Sequence, residues 1–485
     1  MPSFATDVPA LLLRLDPNPY HHGTLGAARS LGRAGIEVHA LLGSVRGPVG
    51  TTRFLRRVHS LPRFRARSLP LTGTDRTGRT GGPARYGPAG TVSDAQLESA
   101  LTEISAELGR PAVLLPLDDH GAIAAARLAP RLAGRYLLPA VEPSLPARLA
   151  DKAELAAVCA RAGIAHPATV LPGSAGEAGR EAVALGLPVV AKWSRPWLLP
   201  PGLRSTSLVR TRAEAVRLFE RTEEAGSALL FQRRLPHAPG ADWFFHGYAV
   251  GGGRFLIGGA GRKERAWPPH TGLTAVGRWL PSPAVEEAAE RLTAALDYRG
   301  ILDLDFRLDP ATGVHHLVDF NPRPGAQFRL FTDEWGLDVV RAQHLHLTGR
   351  AVPGAVSGPR PAEPRGGPGR VFVVENYALL ATLLGPRPPG PAAGQPGRAP
   401  VERAWFAADD PLPFAAMVAG WLGRCLGQAL RATSPARAAG MQARAVPPGA
   451  RDVSGAQPVS GAQTPHVRHH EPSQHAERRN PCTTS

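Results

Sequence analysis

The stretch Arg299–Gly325, RGILDLDFRLDPATGVHHLVDFNPRPG, constrains this chain more than any other. Ile301 to Leu308 alternates apolar and acidic residues, Asp309-Pro310-Ala311-Thr312-Gly313 is turn chemistry, and Val314 to Phe320 reads as the return strand. Successive strand residues point to opposite faces. Asp303 and Asp305 therefore share one face of the first strand, and Asp319 and Asn321 share one face of the second. The hairpin gathers three carboxylates and a carboxamide close to Arg323. Hard oxygens of this kind suit magnesium, which is held by one or two carboxylates plus the phosphates of a nucleotide. The alternative is a solvated face with turn aspartates. It suits Asp309, but Asp303, Asp305 and Asp319 interrupt strands that otherwise read as buried.

Lysine is scarce. Lys and Arg total 56, yet the only lysines are Lys152, Lys192 and Lys263. Arginine serves nearly everywhere a cation is wanted, so a surviving lysine marks a place for a compact ammonium, as in point-charge contact with phosphate.

A length of 485 residues allows two or three domains with ample core. The formal charge of +16 accompanies enrichment in Ala, Arg, Gly and Pro together, and no dense basic helix is interleaved with aromatics. Nucleic acid is therefore not the expected partner. Cys159, Cys425 and Cys482 give neither a disulfide framework nor a metal spacing, which agrees with a reducing cytoplasm. The N-terminus lacks a basic region followed by a long apolar run, and no segment has the apolar length of a membrane span.

Residues 10–42 read as strand, loop, helix, strand, the start of a parallel α/β domain. The loop carries His21-His22, an exposed pair that could reach a ligand at the carboxyl end of the first strand. Residues 72–90, rich in Gly, Thr, Arg and Pro, read as a mobile surface insertion. Ser93 to Leu108 is an amphipathic helix, and Ala112 to Pro116 a buried strand. Asp118-Asp119-His120 follow at its carboxyl end, where open α/β sheets place ligands, and serve best as a cap for the next helix. Asp151 opens a helix with Glu154 completing a capping box, which puts Lys152 in the first turn, against the helix dipole. Leu187 to Ala191 is a strand running into Lys192, and Leu229 to Leu235 is another. Trp243 to Val250 and Arg254 to Gly259 form a hairpin, followed by a basic loop or strand end with Arg262 and Lys263. Val371 to Tyr377 is a further strand, 386–400 a linker, and Phe414 to Leu430 an apolar helix. Beyond about residue 432 the chain is too poor in apolar residues to repay the cost of ordering.

The run from Lys152 to Arg323 resembles the ATP-grasp superfamily, and within it the carboxylate–amine ligases; the resemblance spans roughly the first 350 residues. Its most specific part is the pair LDF and VDFNPR. The resemblance implies that Asp305, Asp319 and Asn321 hold two magnesium ions bridging ATP phosphates, and that Arg323 faces phosphate or an acyl-phosphate. It implies that Lys152 and Lys192 contact the nucleotide, that the main chain of LLFQRRL (Gln232, Arg233, Leu235) reads adenine, and that Arg262 and Lys263 approach the transferred phosphate or the carboxylate. Two positions depart. Aspartate stands at 319 where glutamate is usual, and Arg233 follows Gln232 where an acid is common, which leaves Asp242 as the candidate ribose ligand.

The implied fold is α/β: a Rossmann-like N-terminal domain (1–140), a two-subdomain α+β ATP-grasp domain (141–350), a C-terminal accessory segment (351–432) and a disordered tail (433–485). The implied activity is ATP- and Mg2+-dependent joining of a small carboxylate to an amine, in the cytoplasm. Phosphate transfer to a non-carboxylate acceptor, or nucleotide binding without turnover, are the alternatives; neither involves a membrane.

Overall fold

The computed structural model describes residues 2–43, 47–61, 92–200, 202–268, 273–353, 369–384 and 400–432. The insertion expected over 72–90 and the tail beyond 432 lie outside the described residues, as does all of the 386–400 linker except Pro400. Met1–Arg424 form one compact unit; from Cys425 onward only the backbone of the closing helix, to Ala432, is described.

The chain opens with β1 (Ala10–Arg14), α1 (His22–Arg33), β2 (Val38–Leu42), β3 (Arg57–Ser60), α2 (Asp94–Leu108), β4 (Ala112–Pro116), α3 (Asp119–Leu132) and β5 (Tyr136–Leu137). The strands pair in parallel in the order β3-β2-β1-β4-β5. Both faces of β1 are buried, as the uninterrupted run ALLLR requires. Leu11 and Leu13 pack toward α2 and α3, and Ala10 and Leu12 toward α1. Ser93 and Gln96 close a capping box on α2, and Gly109 ends it in the left-handed region at φ 64°. Asp118 caps α3 and also accepts from the Leu15 and Asp16 N–H groups, which fixes the carboxyl end of β1.

Next come α4 (Leu145–Ala150), α5 (Lys152–Ala162), β6 (Thr169–Val170), α6 (Ala175–Ala184), β7 (Val189–Trp193), β8 (Thr206–Val209), α7 (Arg212–Phe219), α8 (Thr222–Ala225) and β9 (Leu229–Gln232). Their strands form an antiparallel sheet, β6-β9-β7-β8, with its own small core. The remainder is β10 (Asp242–Val250), β11 (Phe255–Trp267), β12 (Leu273–Trp279), α9 (Pro283–Ala295), β13 (Arg299–Asp309), β14 (Val314–Asn321), α10 (Val339–Leu347), β15 (Val371–Val373), α11 (Glu375–Leu383), β16 (Val401–Arg403) and α12 (Leu412–Ala432). These strands make a seven-stranded sheet, β14-β13-β10-β11-β12-β15-β16, antiparallel except for its last pair.

One face of the large sheet is covered by α4, α5 and α9 through Leu302, Leu304, Phe306 and Phe320. Its other face shares a core with α1, α10 and the first sheet through Phe244, Tyr248, Ile301 and Phe331. The basic stretch after Gly259, open from sequence between a loop and a strand end, continues β11, whereas the strand expected over 371–377 ends at Val373. His22, expected in an exposed loop, is instead buried in the first turn of α1. Among the described residues no helix is long and apolar enough to cross a membrane.

Candidate active site

The register of β13 on β14 sets Asp303 opposite Asn321 and Asp305 opposite Asp319. Directly opposed residues project from the same face of a ladder, with Cβ atoms about 4.5–5.5 Å apart. All four side chains therefore share one face. Past Asp305 the register shifts by a bulge, after which His316 opposes Arg307 and joins the same face. On the neighbouring strand, Asp242 opposes Arg307 and His246 opposes Asp303.

Three cations converge on this face. Lys152 pairs with the Asp319 carboxylate. Lys192 donates to the Val318 carbonyl at 3.1 Å. Arg323 donates to Asp303 at 2.9 Å and lies 3.2 Å from Asp119, which follows the helix cap of the first sheet. Asp151 holds both lysines in register: its carboxylate caps α5 and takes hydrogen bonds from Ser194 and Arg195, just beyond β7. The Lys152 side chain, misplaced with respect to its helix dipole, is thus drawn off the helix to a carboxylate.

The electrostatics are those of a site short of positive charge at one atom pair and rich in it at another. Burial, reinforced by Asp303, pushes the Asp305 carboxyl up to about 6 against the opposing pull of Lys263. Asp305 has no hydrogen bond or ion pair among the described residues. Asp303 is likewise lifted by burial to about 6, although Arg323 opposes the shift. For Asp319, burial acts upward but Lys152 and Lys192 outweigh it, and the carboxyl ends below its usual range. Burial draws the Lys192 ammonium down to about 8, helped by Lys152 and Arg307.

These residues fit a hard divalent cation of the magnesium type. Among the described residues no three His, Cys, Asp or Glu side chains form a closed metal cage. Magnesium does not need one, because it keeps few protein ligands and completes its shell with phosphate and water. The unpartnered Asp305 carboxylate faces Asp319, and Asn321 donates its amide nitrogen to Asp303, which leaves its carbonyl oxygen for another partner.

Other expected residues separate. Lys263 lies on the acidic face, near enough to Asp305 to act on its charge. Arg262, its neighbour on β11, points to the opposite face, where it pairs with Glu264 at 2.9 Å and sits 6.0 Å from the Trp243 ring. The expectation that both approach one substrate group is corrected here: adjacent residues on a regular strand cannot share a face. The Gln232 side chain is buried and donates to Thr169 at 3.1 Å, and the Arg233 N–H is used by the Ala168 carbonyl. Leu235 is buried just beyond β9. Asp242 is on the acidic face but engaged by Arg307 at 2.6 Å. Residues not singled out for the site from sequence also line it. They are Arg307, His316 and the fully buried His246, whose ring burial lowers to about 3; Asp119, from the turn that reads either as a ligand-facing strand end or as a helix cap, joins them.

No family model matches the chain, and a search of curated proteins finds no match. Solved structures do resemble it. The biotin carboxylase of Campylobacter jejuni, solved as a βγ-ATP complex, gives a TM-score of 0.51 at 13% identity, covering 72% of this chain and 73% of its own. The L-amino acid ligase of Bacillus licheniformis gives 0.50 at 13%, covering 74% and 78%. The N5-carboxyaminoimidazole synthetase of Staphylococcus aureus gives 0.50 at 11%, covering 73% and 81%. At these identities the likeness is one of fold.

Proposed function

We propose that this chain, which has the ATP-grasp fold, is an ATP- and magnesium-dependent ligase that joins a carboxylate to an amine. The observation that carries the reading is the ladder that sets Asp305 against Asp319 and Asp303 against Asn321, with Lys152, Lys192 and Arg323 converging on it. Opposite charges held in register suit a polyphosphate and its counter-ions better than any uncharged ligand.

Asp305, Asp319 and Asn321 would hold up to two magnesium ions, which supply charge neutralisation at the phosphate oxygens. The substrate carboxylate attacks the γ-phosphorus of ATP; the bond to the β,γ-bridging oxygen breaks and ADP leaves. The amine then attacks the acyl carbon. A C–N bond forms, phosphate departs with the electrons of the C–O bond, and the amine loses a proton. Lys152 and Lys192 orient the polyphosphate, and Lys152 exchanges its present carboxylate partner for phosphate oxygen. Arg323, anchored by Asp303, meets the charge that develops on the transferred group. Lys263 holds the incoming carboxylate from the neighbouring strand. The stretch Gln232–Leu235, in which Gln232 and Leu235 are buried and Arg233 and Arg234 exposed, offers main-chain groups to adenine, and Asp242, now held by Arg307, is the acid that would turn to the ribose.

The test is ADP release with Mg–ATP against amino acids and small carboxylic acids, singly and in pairs, with hydroxylamine as a trap for the acyl-phosphate. Release that needs an acid plus an amine, with hydroxamate formed when hydroxylamine replaces the amine, is the expected result. Asp319→Ala and Lys192→Ala should each lower the rate ~10²–10³-fold. Release driven by an acceptor with no carboxylate would overturn the amide-forming step, and failure to bind Mg–ATP would overturn the whole reading.

A further inference from the structure

A second charged hollow lies at the far end of α1 from the acidic hairpin. The N-terminus of α1 meets the segment after the hairpin, where a Cβ on Gly23 would come 3.0 Å from Ala326. The last turn of α1 carries Ser30 and Arg33, roughly 16 Å away along the helix axis. There an open pocket of about 350 Å3 is lined by Arg33, Arg329, Arg341 and Arg370, with Asp338 and Glu402 as its acids. That volume is in the range of small-molecule sites. No residue of the hairpin, and neither Lys152 nor Lys192, lines it.

The charges do not cancel. Glu402 is taken by Arg329 at 2.6 Å. Asp338 is spent on neutral donors, the Ser30 hydroxyl at 2.6 Å and the Val340 and Arg341 N–H groups at 3.1 Å. Arg33 is held from outside the cavity by Asp409. Arg341 donates only to carbonyls, those of Ser30 and Gly336, and the Arg370 side chain has no partner among the described residues. Two guanidinium groups thus face the hollow without a carboxylate within ion-pair reach among the described residues. Arg329 is buried there, and burial, with repulsion from Arg29 and Arg33, lowers its hold on its proton against the pull of Glu402. Cations gathered this closely at a partly dry wall call for an anion.

We propose that this cavity is a binding site for a small phosphate-bearing anion, separate from the candidate active site. Planar guanidinium forks match phosphate oxygens two at a time, and Arg341 and Arg370 are free to supply them. The hollow is larger than a phosphate ion, which favours a phosphate monoester of metabolite size.

The test is calorimetric titration of the full-length chain at low salt with inorganic phosphate and, separately, AMP. It uses Lys192→Ala as the background so that phosphate contacts at the hairpin are weakened. Saturable binding should persist in that background and weaken roughly tenfold when Arg370→Gln is added, the loss of one charge-assisted contact. Arg370→Lys should recover part of it. The Arg370 side chain holds no element in place, so the melting temperature should not move. Tighter binding of AMP identifies a monoester as the ligand, and tighter binding of inorganic phosphate identifies the free ion. Equal affinity with and without Arg370→Gln, or no saturable binding at millimolar phosphate, overturns the proposal.

Discussion

Gly325, last residue of the NPRPG run, is set by contact with the site. A Cβ there would lie 1.8 Å from Cε1 of His246 and 2.8 Å from Cγ of Asp303. His246 is fully buried and its ring nitrogens make no hydrogen bond, so it has nowhere cheap to move. Gly325→Ala should cost about 1–3 kcal/mol as overpacking of a dense core. Urea unfolding should show the loss, and a His246→Ala background should remove most of it; an unchanged midpoint in Gly325→Ala would mean that the contact is not tight. At this scale the legible residues were those governed by strand period or by rarity. Asp303, Asp305, Asp319 and Asn321 follow from alternation, and the three lysines from their scarcity. The same alternation separates Arg262 from Lys263 once their segment is taken as strand, a signal present in the sequence. The bulge beyond Asp305 was not legible, since nothing in HLVD distinguishes a regular from a bulged strand, and with it went His316.

At the scale of elements, α1 links the hairpin to the C-terminal segment. His21 caps it through Nδ1, and Gly23 and Gly26 let it approach Ala326 and Phe328. His22 sits among the rings of Phe372, Tyr377 and Trp405, at centroid distances of 6.1 to 6.5 Å. Burial, then Arg329, lowers its imidazole to about 3. The folded form therefore holds His22 neutral while the unfolded chain takes up a proton near the ordinary 6.5. Unfolding binds the extra proton between these values, so this contribution is complete above pH 6.5 and is lost as pH falls toward 3. The slope is at most about 1.4 kcal/mol per pH unit. His22→Phe keeps the ring and removes the titration. Wild type should lose stability relative to His22→Phe between pH 6.5 and 4, read as a widening gap in urea midpoints, and parallel pH profiles would refute the buried neutral state. Why the sequence concealed this docking is also local. Val371 to Tyr377 reads as one strand, but Glu375 turns the chain into α11 and its carboxylate accepts the Trp405 and Phe406 N–H groups thirty residues on. A bond of that span leaves no trace in local periodicity.

Across the whole molecule, the two large sheets meet at the site. The carboxyl end of β4, where open α/β sheets present ligands, delivers Asp118 and Asp119. Asp118 is wholly structural, accepting from the Leu15, Asp16 and Gly121 N–H groups at 2.6 Å each. Asp119 is what the first sheet contributes to the hairpin. It stands 3.2 Å from Nε of Arg323 as an ion pair without hydrogen-bond alignment, while Asp303 takes Nη1 at 2.9 Å from the other side. Arg323 is thus bracketed by a carboxylate from each sheet, an arrangement that neither segment announces alone, because 204 residues separate them. If the proposed ligase reading holds, the pair fixes where the guanidinium waits for the transferred phosphate. Asp119→Asn keeps the shape and removes the charge. The expected outcome is a fall of about 1–2 kcal/mol in transition-state stabilisation, ~10-fold in kcat/KM for ADP release, carried mainly by kcat. The urea midpoint should fall only modestly, since the Asp119 oxygen facing Arg323 is buried but Asp303 keeps the guanidinium paired. A loss confined to KM would instead make Asp119 part of substrate binding, and an unchanged kcat/KM would mean that the first sheet supports the site without positioning Arg323.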